Sequence, residues 1–149
     1  MSSAVDADLL VYAHNASASQ HAKAKSFVEE RMLAAAEDEE FVIAHQTLFE
    51  LFAALSNPII LPRPLSSSEA WKVCRIYREH PKVQTIAYDA PVLEIVGSLL
   101  EEQPKHGKRL FDLVLAATLK YNGVTKLYTH NVKHFSGYRF LTVENPLSG

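Results

Sequence analysis

The sequence predicts an α/β fold in which a mainly parallel sheet of four to five strands carries helices on both faces. The first observation is that short apolar runs alternate along the chain with longer segments of helical spacing. Such alternation is typical of strands joined by helical crossovers, which build parallel sheets. The second is the length of 149 residues at 48% hydrophobic content. These values predict one domain, residues 1–149, with an apolar core.

The apolar runs place the strands, and helical spacing places the helices between them. Strands are predicted over residues 4–6, 41–44, 83–87, 126–129 and 139–143. A short helix is predicted after Asp6, and longer ones over residues 20–36, 45–55, 66–79, 90–102 and 111–121. Ser66 and Glu69 have the spacing of a capping box, and Asp89 before Ala90-Pro91 is a predicted helix cap.

Composition limits the class of protein. The formal charge of −2 does not indicate a nucleic-acid binder, although a local basic patch remains compatible with it. A single cysteine, Cys74, excludes an internal disulfide and fits a reducing compartment. The apolar runs are shorter than the roughly 20 residues of a membrane span, and the N-terminus lacks a basic signal-like region. We therefore expect a soluble, cytoplasmic protein that does not enter a membrane.

Polar side chains lie where predicted strands end or the following helices begin. Asp6 closes the first strand, Glu50 lies in the helix after the second, Asp112 opens the last helix, and Asn131 follows the fourth strand. Parallel sheets bind ligands beyond the carboxyl ends of their strands. We therefore expect these four side chains to converge at one edge of the sheet.

Carboxylates gathered in this way suit a divalent cation. Mg²⁺ takes hard oxygen ligands, usually one or two carboxylates together with water and phosphate oxygens. Without a cation, crowded carboxylates raise one another's pKa. A bound cation acts as a Lewis acid on a phosphodiester and activates water. The pattern predicts that Asp6, Glu50 and Asp112 hold Mg²⁺, and that Asn131 adds a neutral oxygen to the catalytic set.

Each of these residues also has a simpler interpretation. Asp6 could cap the helix that follows it, and Glu50 could be the exposed position of an otherwise apolar helix. Asp112 could be a favourable charge in a first helical turn, and Asn131 an ordinary loop residue. The four residues together indicate a functional site more strongly than any one of them does alone.

Three further patterns admit more than one interpretation. Lys105, Lys108 and Arg109 form a basic loop that either contacts substrate phosphate or is simply solvated. His130 and His134 have a spacing found in zinc sites, but no third ligand accompanies them. The segment 6–8, Asp-Ala-Asp, is similar to the start of haloacid-dehalogenase-like phosphatases, yet the residues after it do not match that family.

Four segments in order resemble the motifs of PIN domains. They are residues 5–13, which read VDADLLVYA, residues 48–51, which read LFEL, residues 109–112, which read RLFD, and residues 127–131, which read LYTHN. The resemblance covers essentially the whole chain and is strongest to VapC-type toxins of type II toxin–antitoxin pairs. It implies a PIN-like three-layer α/β/α domain.

The resemblance also implies an activity and partners. These are Mg²⁺- or Mn²⁺-dependent cleavage of RNA, a VapB-like antitoxin, and a homodimer. Asp6, Glu50 and Asp112 match the family's acidic metal positions, Asn131 matches its fourth position, and Thr129 matches a hydroxyl position near the site. We therefore include Thr129 with the basic loop among the candidate substrate-binding residues. Helices 20–36 and 45–55 are predicted to offer the antitoxin an apolar groove.

The chain departs from the family pattern at three places. Ala7-Asp8 replaces the more usual Thr-Asn, Phe111 stands where a polar residue often precedes the third acid, and His134 stands where a second Asp is frequent. These differences leave the three carboxylates intact but bear on metal affinity and substrate preference. A catalytically weak PIN module that binds RNA or a protein partner is the alternative.

Overall fold

The computed structural model describes residues 2–33 and 39–148, and within them five parallel strands form one sheet. The strands are β1 (Ser2–Val5), β2 (Glu40–Ala44), β3 (Val83–Ile86), β4 (Lys126–Tyr128) and β5 (Thr142–Glu144). Their order across the sheet is β3-β2-β1-β4-β5, and every neighbouring pair is parallel. The prediction of a mainly parallel sheet of four to five strands is confirmed.

Six helices accompany the strands in the described residues. They are α1 (Ala7–His14), α2 (His21–Leu33), α3 (His45–Leu55), α4 (Ser67–Glu79), α5 (Ala90–Glu102) and α6 (Leu110–Tyr121), with short 3₁₀ helices at Gly107–Arg109 and Val132–Phe135. The predicted end of α2 at residues 34–36 lies outside the described part of the chain. β5 begins later than predicted because a turn, closed by the Leu141 amide donating to the Tyr138 carbonyl, occupies residues 138–141.

Alternate residues of the central strands pack on opposite faces of the sheet, as their period of two requires. Val5, Phe41 and Tyr128 join a core with helices α1 to α4 on one face. Ala4 and Leu127 join a second core with α5 and α6 on the other face. This arrangement is the predicted three-layer α/β/α architecture. No helix in the described ranges has the length and apolar character to cross a membrane.

Of the two predicted helix caps, the one at the start of α4 is formed by its side chains. Ser66 and Glu69 form both hydrogen bonds of the capping box at the start of α4. Gly123 follows α6 with φ of 71°, in the left-handed region that glycine enters without steric cost. Asp89 occupies the N-cap position of α5, but its side chain makes no capping hydrogen bond.

The strand order creates a switch point at β1. The chain leaves β1 for β2 and β3 on one side of the sheet, then returns to place β4 on the other side. A crevice at the carboxyl ends of β1 and β4 is the expected ligand position in such a sheet. The Asp6 amide donates to the Tyr128 carbonyl at 2.9 Å and so fixes the relative position of the two strand ends.

Candidate acidic active site

The four polar residues predicted to converge do lie around one cleft. Asp6, Glu50, Asp112 and Asn131 all line an open cleft of about 370 Å³ at the carboxyl edge of the sheet. Each comes from a different place in the sequence, and the parallel sheet brings them together. The geometry therefore agrees with the expected convergence, while the chemical roles of these residues remain predictions.

Asp6 is held rigidly at the end of β1. Its Oδ1 accepts a hydrogen bond from the Ala7 amide at 2.8 Å, so it also serves as the N-cap of α1. Its Oδ2 accepts a hydrogen bond from Thr129 Oγ1 at 2.8 Å. The capping interpretation and the site interpretation of Asp6 are thus compatible.

Thr129 supports Asp6 rather than lying open to substrate. The residue is completely buried directly after β4, where its hydroxyl contacts Asp6 and Asp8. A buried hydroxyl committed to these carboxylates is not available to RNA. This burial corrects the assignment of Thr129 as a substrate-binding residue.

Asp8 connects the start of α1 to the segment after β4. Its Oδ1 accepts the Leu9 amide at 2.7 Å, and its Oδ2 accepts the His130 amide at 3.0 Å and the Asn131 amide at 3.2 Å. Burial raises the pKa of Asp8, and these donors oppose that rise. Asp8 therefore sets the position of Asn131 at the cleft, a role that the sequence alone did not reveal.

Glu50 projects from α3 beside a buried glutamine. The Gln46 side chain accepts the Tyr88 hydroxyl at 3.0 Å and donates to the Phe111 carbonyl at 2.8 Å. Its nearby amide also opposes the rise in the pKa of Glu50. Gln46 is only 6% exposed. Its position one helical turn before Glu50 is the sequence signal that could have identified it.

One carboxylate oxygen of Asp112 faces two basic side chains. Its Oδ2 lies 3.5 Å from Arg109 Nη1 and 3.5 Å from His134 Nδ1. Lys108 and Arg109 line the cleft, and so does His106. Lys105 is not among the lining residues, so its predicted contact with substrate is not supported by this arrangement.

Burial and mutual repulsion make the carboxylates hard to ionise together. Burial, followed by the charges of Asp8 and Glu50, raises the pKa of Asp6 from 3.8 to about 8. Partial desolvation at the cleft, followed by the charge of Asp112, raises the pKa of Glu50, although this residue is exposed overall. Both shifts have the physical cause expected where several anionic oxygens surround a place suited to a cation.

The donor set fits a hard divalent cation. All three candidate ligands supply carboxylate oxygens, the type that Mg²⁺ prefers. Within residues 2–33 and 39–148, no three His, Cys, Asp or Glu side chains are grouped closely enough to enclose an ion by themselves. Mg²⁺ does not require such a cage, because it usually retains several waters and needs only one or two carboxylates.

The two histidines do not form the zinc site considered from their spacing. The His130 ring makes an edge contact with Tyr12, with 5.4 Å between ring centroids, and its Nδ1 lies 3.3 Å from Asn145 Nδ2. His134 instead faces Asp112 in the cleft. Since the described residues contain no third ligand grouped with them, zinc is not supported.

The comparisons with known proteins agree with the fold. A family model for the PIN domain matches residues 4–141. The chain belongs to the PIN domain family. This assignment replaces the phosphatase interpretation of residues 6–8.

A relative of the same length supports this assignment. Over 144 residues the chain is 31% identical to Ribonuclease VapC24 of Mycobacterium tuberculosis strain H37Rv, covering 97% of this chain and 96% of that protein. The alignment therefore spans essentially both proteins rather than a shared fragment.

Solved structures show the same PIN fold at low sequence identity. VapBC-1 from nontypeable Haemophilus influenzae matches with a TM-score of 0.69 and 17% identity, covering 99% of this chain and 100% of that chain. VapC20 of Mycobacterium tuberculosis, described as a Sarcin-Ricin loop cleaving toxin, matches with a TM-score of 0.67 and 16% identity, covering 93% of this chain and 98% of that chain. At these identities the likeness concerns the fold alone.

Proposed function

We propose that this PIN-domain protein is a divalent-metal-dependent endoribonuclease and the toxin of a VapBC-type toxin–antitoxin pair. The observation that carries the proposal is the convergence of Asp6, Glu50 and Asp112 on one cleft whose rim is basic. The acidic floor suits a cation, and the basic rim suits the phosphates of a nucleic acid. The 31% identity to a protein named a ribonuclease supports RNA as the substrate.

Each part of the cleft has a distinct chemical role in this proposal. Asp6, Glu50 and Asp112 would bind Mg²⁺ or Mn²⁺ partly through the waters that such a cation retains, and the cation when bound supplies Lewis acidity and lowers the pKa of coordinated water. Thr129 keeps the Asp6 carboxylate oriented through its 2.8 Å hydrogen bond. Asn131, positioned by Asp8, offers a neutral amide to water or substrate.

The basic residues at the rim position the RNA backbone. Lys108 and Arg109 both lie in the 3₁₀ helix Gly107–Arg109 that leads into α6, and both line the cleft with Asp112. Phosphate contacts of this kind are independent of base sequence and weaken as salt concentration rises. The basic loop therefore aligns the phosphodiester with the acidic floor.

RNA cleavage by the purified protein tests the proposal directly. We expect the wild-type protein to cleave single-stranded RNA in Mg²⁺ or Mn²⁺, and EDTA to abolish the cleavage. Asp112→Asn should reduce the rate by roughly 100-fold or more, because it removes one charge from the candidate cation site. Gel analysis of labelled RNA gives the rates, and circular dichroism checks that the variant is folded.

A negative result would identify the alternative function. If the folded wild-type protein neither cleaves RNA nor binds Mn²⁺ by calorimetry, the chain is a non-catalytic PIN module. Cleavage that persists unchanged in EDTA or in Asp112→Asn would also contradict the proposed site. Lys105→Ala is a suitable control, because this basic residue lies outside the cleft lining.

We propose an antitoxin contact that differs from the groove predicted between α2 and α3. Helix α1 packs against both of these helices, and their apolar side chains enter the same core. Two exposed aromatic side chains lie instead on α3 and α4, where Phe49 is 58% and Trp71 is 42% exposed. Trp71 also makes an edge contact with Phe52 at 6.3 Å. We therefore assign the antitoxin surface to the α3–α4 face.

Substitution of Trp71 tests this surface. We expect Trp71→Ala to weaken binding of the co-expressed product of the adjacent gene by roughly 2 kcal/mol, the scale of an interface hot spot. Calorimetry on the separated proteins measures the difference. Lys72→Ala is the control, because its side chain is exposed on the same helix without adding aromatic area. Equal affinities for wild type and Trp71→Ala would place the contact elsewhere.

A further inference from the structure

We propose that the cavity beside the C-terminal ends of α5 and α6 is a second nucleotide site, which holds a nucleotide of the RNA strand away from the point of cleavage. The proposal rests on the ribonuclease function and extends substrate binding from the acidic cleft to a separate part of the surface. It assigns a role to Lys120 and Arg139, which line this cavity and lie outside the lining of the cleft.

The cavity is larger than the acidic cleft. It has a volume of about 650 Å³, compared with about 370 Å³ for the cleft, which is within the roughly 300–1,000 Å³ of small-molecule sites. Its walls come from the end of α5, from the last turn of α6 and from the segment that leads into β5. Leu99 and Phe140 supply apolar surface for a base, whereas Glu102, Lys120 and Arg139 supply charge.

The charged side chains of the cavity suit a nucleotide better than a bare anion. Lys120 and Arg139 are exposed, and within the described residues neither forms a salt bridge. The Lys120 ammonium lies 5.3 Å from the centroid of the Phe140 ring. Both cations are therefore available to phosphate oxygens. Glu102 has the opposite charge and can accept a hydrogen bond from a ribose hydroxyl, as acidic residues do in dinucleotide sites.

The contact between Gln103 and Gly137 lies between the cavity and the acidic cleft. The Gln103 side-chain amide donates to the Gly137 carbonyl, and both residues line the cavity. Glycine permits this close approach, because a Cβ at this position would collide with the Gln103 side chain. Three residues along the chain from each of them, His106 and His134 line the cleft. Since three residues span at most about 10 Å, the two sites are neighbours.

This proximity favours a nucleotide that belongs to an RNA strand over a free nucleotide. Successive nucleotides of a stacked strand advance by about 3.4 Å, so roughly three steps cover the distance between the two sites. Lys108 and Arg109 supply positive charge at the cleft, and Lys120 and Arg139 supply it at the cavity. A strand bound in both places gains affinity over a short RNA that reaches only one of them.

Binding of RNAs of two lengths tests the second site. In EDTA, calorimetry compares a trinucleotide, which advances only about 7 Å and cannot reach both sites, with a single-stranded RNA of about 12 nucleotides. We expect Arg139→Gln and Lys120→Gln each to weaken binding of the longer RNA by on the order of 10-fold, the scale of one charge-assisted hydrogen bond. The salt dependence of longer-RNA binding should also fall by about 0.7 in slope, as for one lost phosphate contact. Trinucleotide binding should not change.

Two comparisons separate a specific site from a general effect of charge. Lys133→Gln removes an exposed cation that lies outside the described lining of both the cavity and the cleft, so it should leave both affinities nearly unchanged. Adenosine monophosphate should bind wild type more tightly than inorganic phosphate does, because only the nucleotide offers a ribose and a base. Arg139→Gln should weaken this binding, and circular dichroism checks that each variant is folded. Equal affinities of wild type for phosphate and the nucleotide would overturn the nucleotide assignment.

The outcomes distinguish failure of the second site from failure of the proposed function. If wild type cleaves RNA but Arg139→Gln and Lys120→Gln bind the longer RNA as tightly as wild type, the second site is overturned while the ribonuclease stands. If the substitutions weaken only adenosine monophosphate, the cavity takes a free nucleotide and its role in holding the RNA strand is overturned. If they weaken only the product of the adjacent gene, the cavity belongs to a protein contact and the proposal is likewise overturned. If wild type neither cleaves nor binds either RNA, both proposals fail. Selective loss of longer-RNA affinity in a protein that cleaves supports both.

Discussion

Asp6→Asn is expected to remove RNA cleavage while making the metal-free protein more stable. Cleavage should fall by roughly 100-fold or more, because one charge of the candidate cation site is lost. Stability should rise because Asp6 has a pKa of about 8, so its ionised form is unfavourable in the folded protein. Rates are measured on labelled RNA, and unfolding free energies by urea titration in EDTA at pH 8.

The local hydrogen bonds explain why this substitution should be tolerated. Asparagine retains one oxygen to accept the Ala7 amide, which Asp6 now accepts at 2.8 Å. Its amide nitrogen can donate to Thr129 Oγ1, and the threonine hydroxyl can then turn to Asp8 Oδ2 at 3.2 Å. The capping and bridging contacts are therefore preserved while the buried charge is removed.

Asp112→Asn is the matched control for this experiment. It should reduce cleavage comparably but should not stabilise the protein, since Asp112 already has Arg109 and His134 within 3.5 Å. If Asp6→Asn gains stability and Asp112→Asn does not, the gain comes from removing the Asp6 carboxylate in particular. It is then not a general result of removing one negative charge from the site. The interpretation fails if Asp6→Asn retains normal cleavage or unfolds at lower urea than wild type.

The parts of the site that were predictable from sequence are those fixed by local structure. Asp6 and Asn131 follow predicted strands, Asp112 opens a predicted helix, and Glu50 interrupts an apolar helical segment. In a parallel sheet these local positions are sufficient to place the side chains at one edge. The fold was predictable for the same reason, because alternating strands and helices leave few arrangements.

The supporting contacts were not predictable, because they depend on how distant segments are aligned. The bond from Thr129 to Asp6 requires β1 and β4 to be neighbours, with Val5 paired to Tyr128. Asp8 reaches the His130 amide only once that register is set. Thr129 therefore resembled a substrate contact in sequence, although the fold buries it behind Asp6.

Stability of the metal-free protein should fall as pH rises from 6.5 to 8. The folded pKa of Asp6, about 8, lies above its ordinary value of 3.8, so between these values the folded state holds a proton that the unfolded state has lost. Such a group lowers stability as pH increases, with a slope that approaches roughly 1.4 kcal/mol per pH unit. Urea unfolding at intervals of pH in EDTA measures this slope.

His14 has an effect of the opposite sign, which fades above pH 6.5. Burial lowers the pKa of His14 below its ordinary 6.5, so stability rises with pH as the unfolded chain loses this proton, a change that is largely over about one pH unit above 6.5. The raised pKa values of Asp8 and Glu50 have the same sign as that of Asp6. The difference between wild type and Asp6→Asn therefore gives the Asp6 contribution.

Added Mg²⁺ should reverse this pH dependence, because the cation and the proton compete for the same carboxylate oxygens. We expect Mg²⁺ to stabilise wild type more at pH 8 than at pH 6.5, and to stabilise Asp6→Asn weakly at both values. A wild-type slope that is flat in EDTA would contradict the crowding of anionic oxygens inferred for the cleft. A steep slope that Mg²⁺ leaves unchanged would instead show that the crowded carboxylates do not serve as cation ligands.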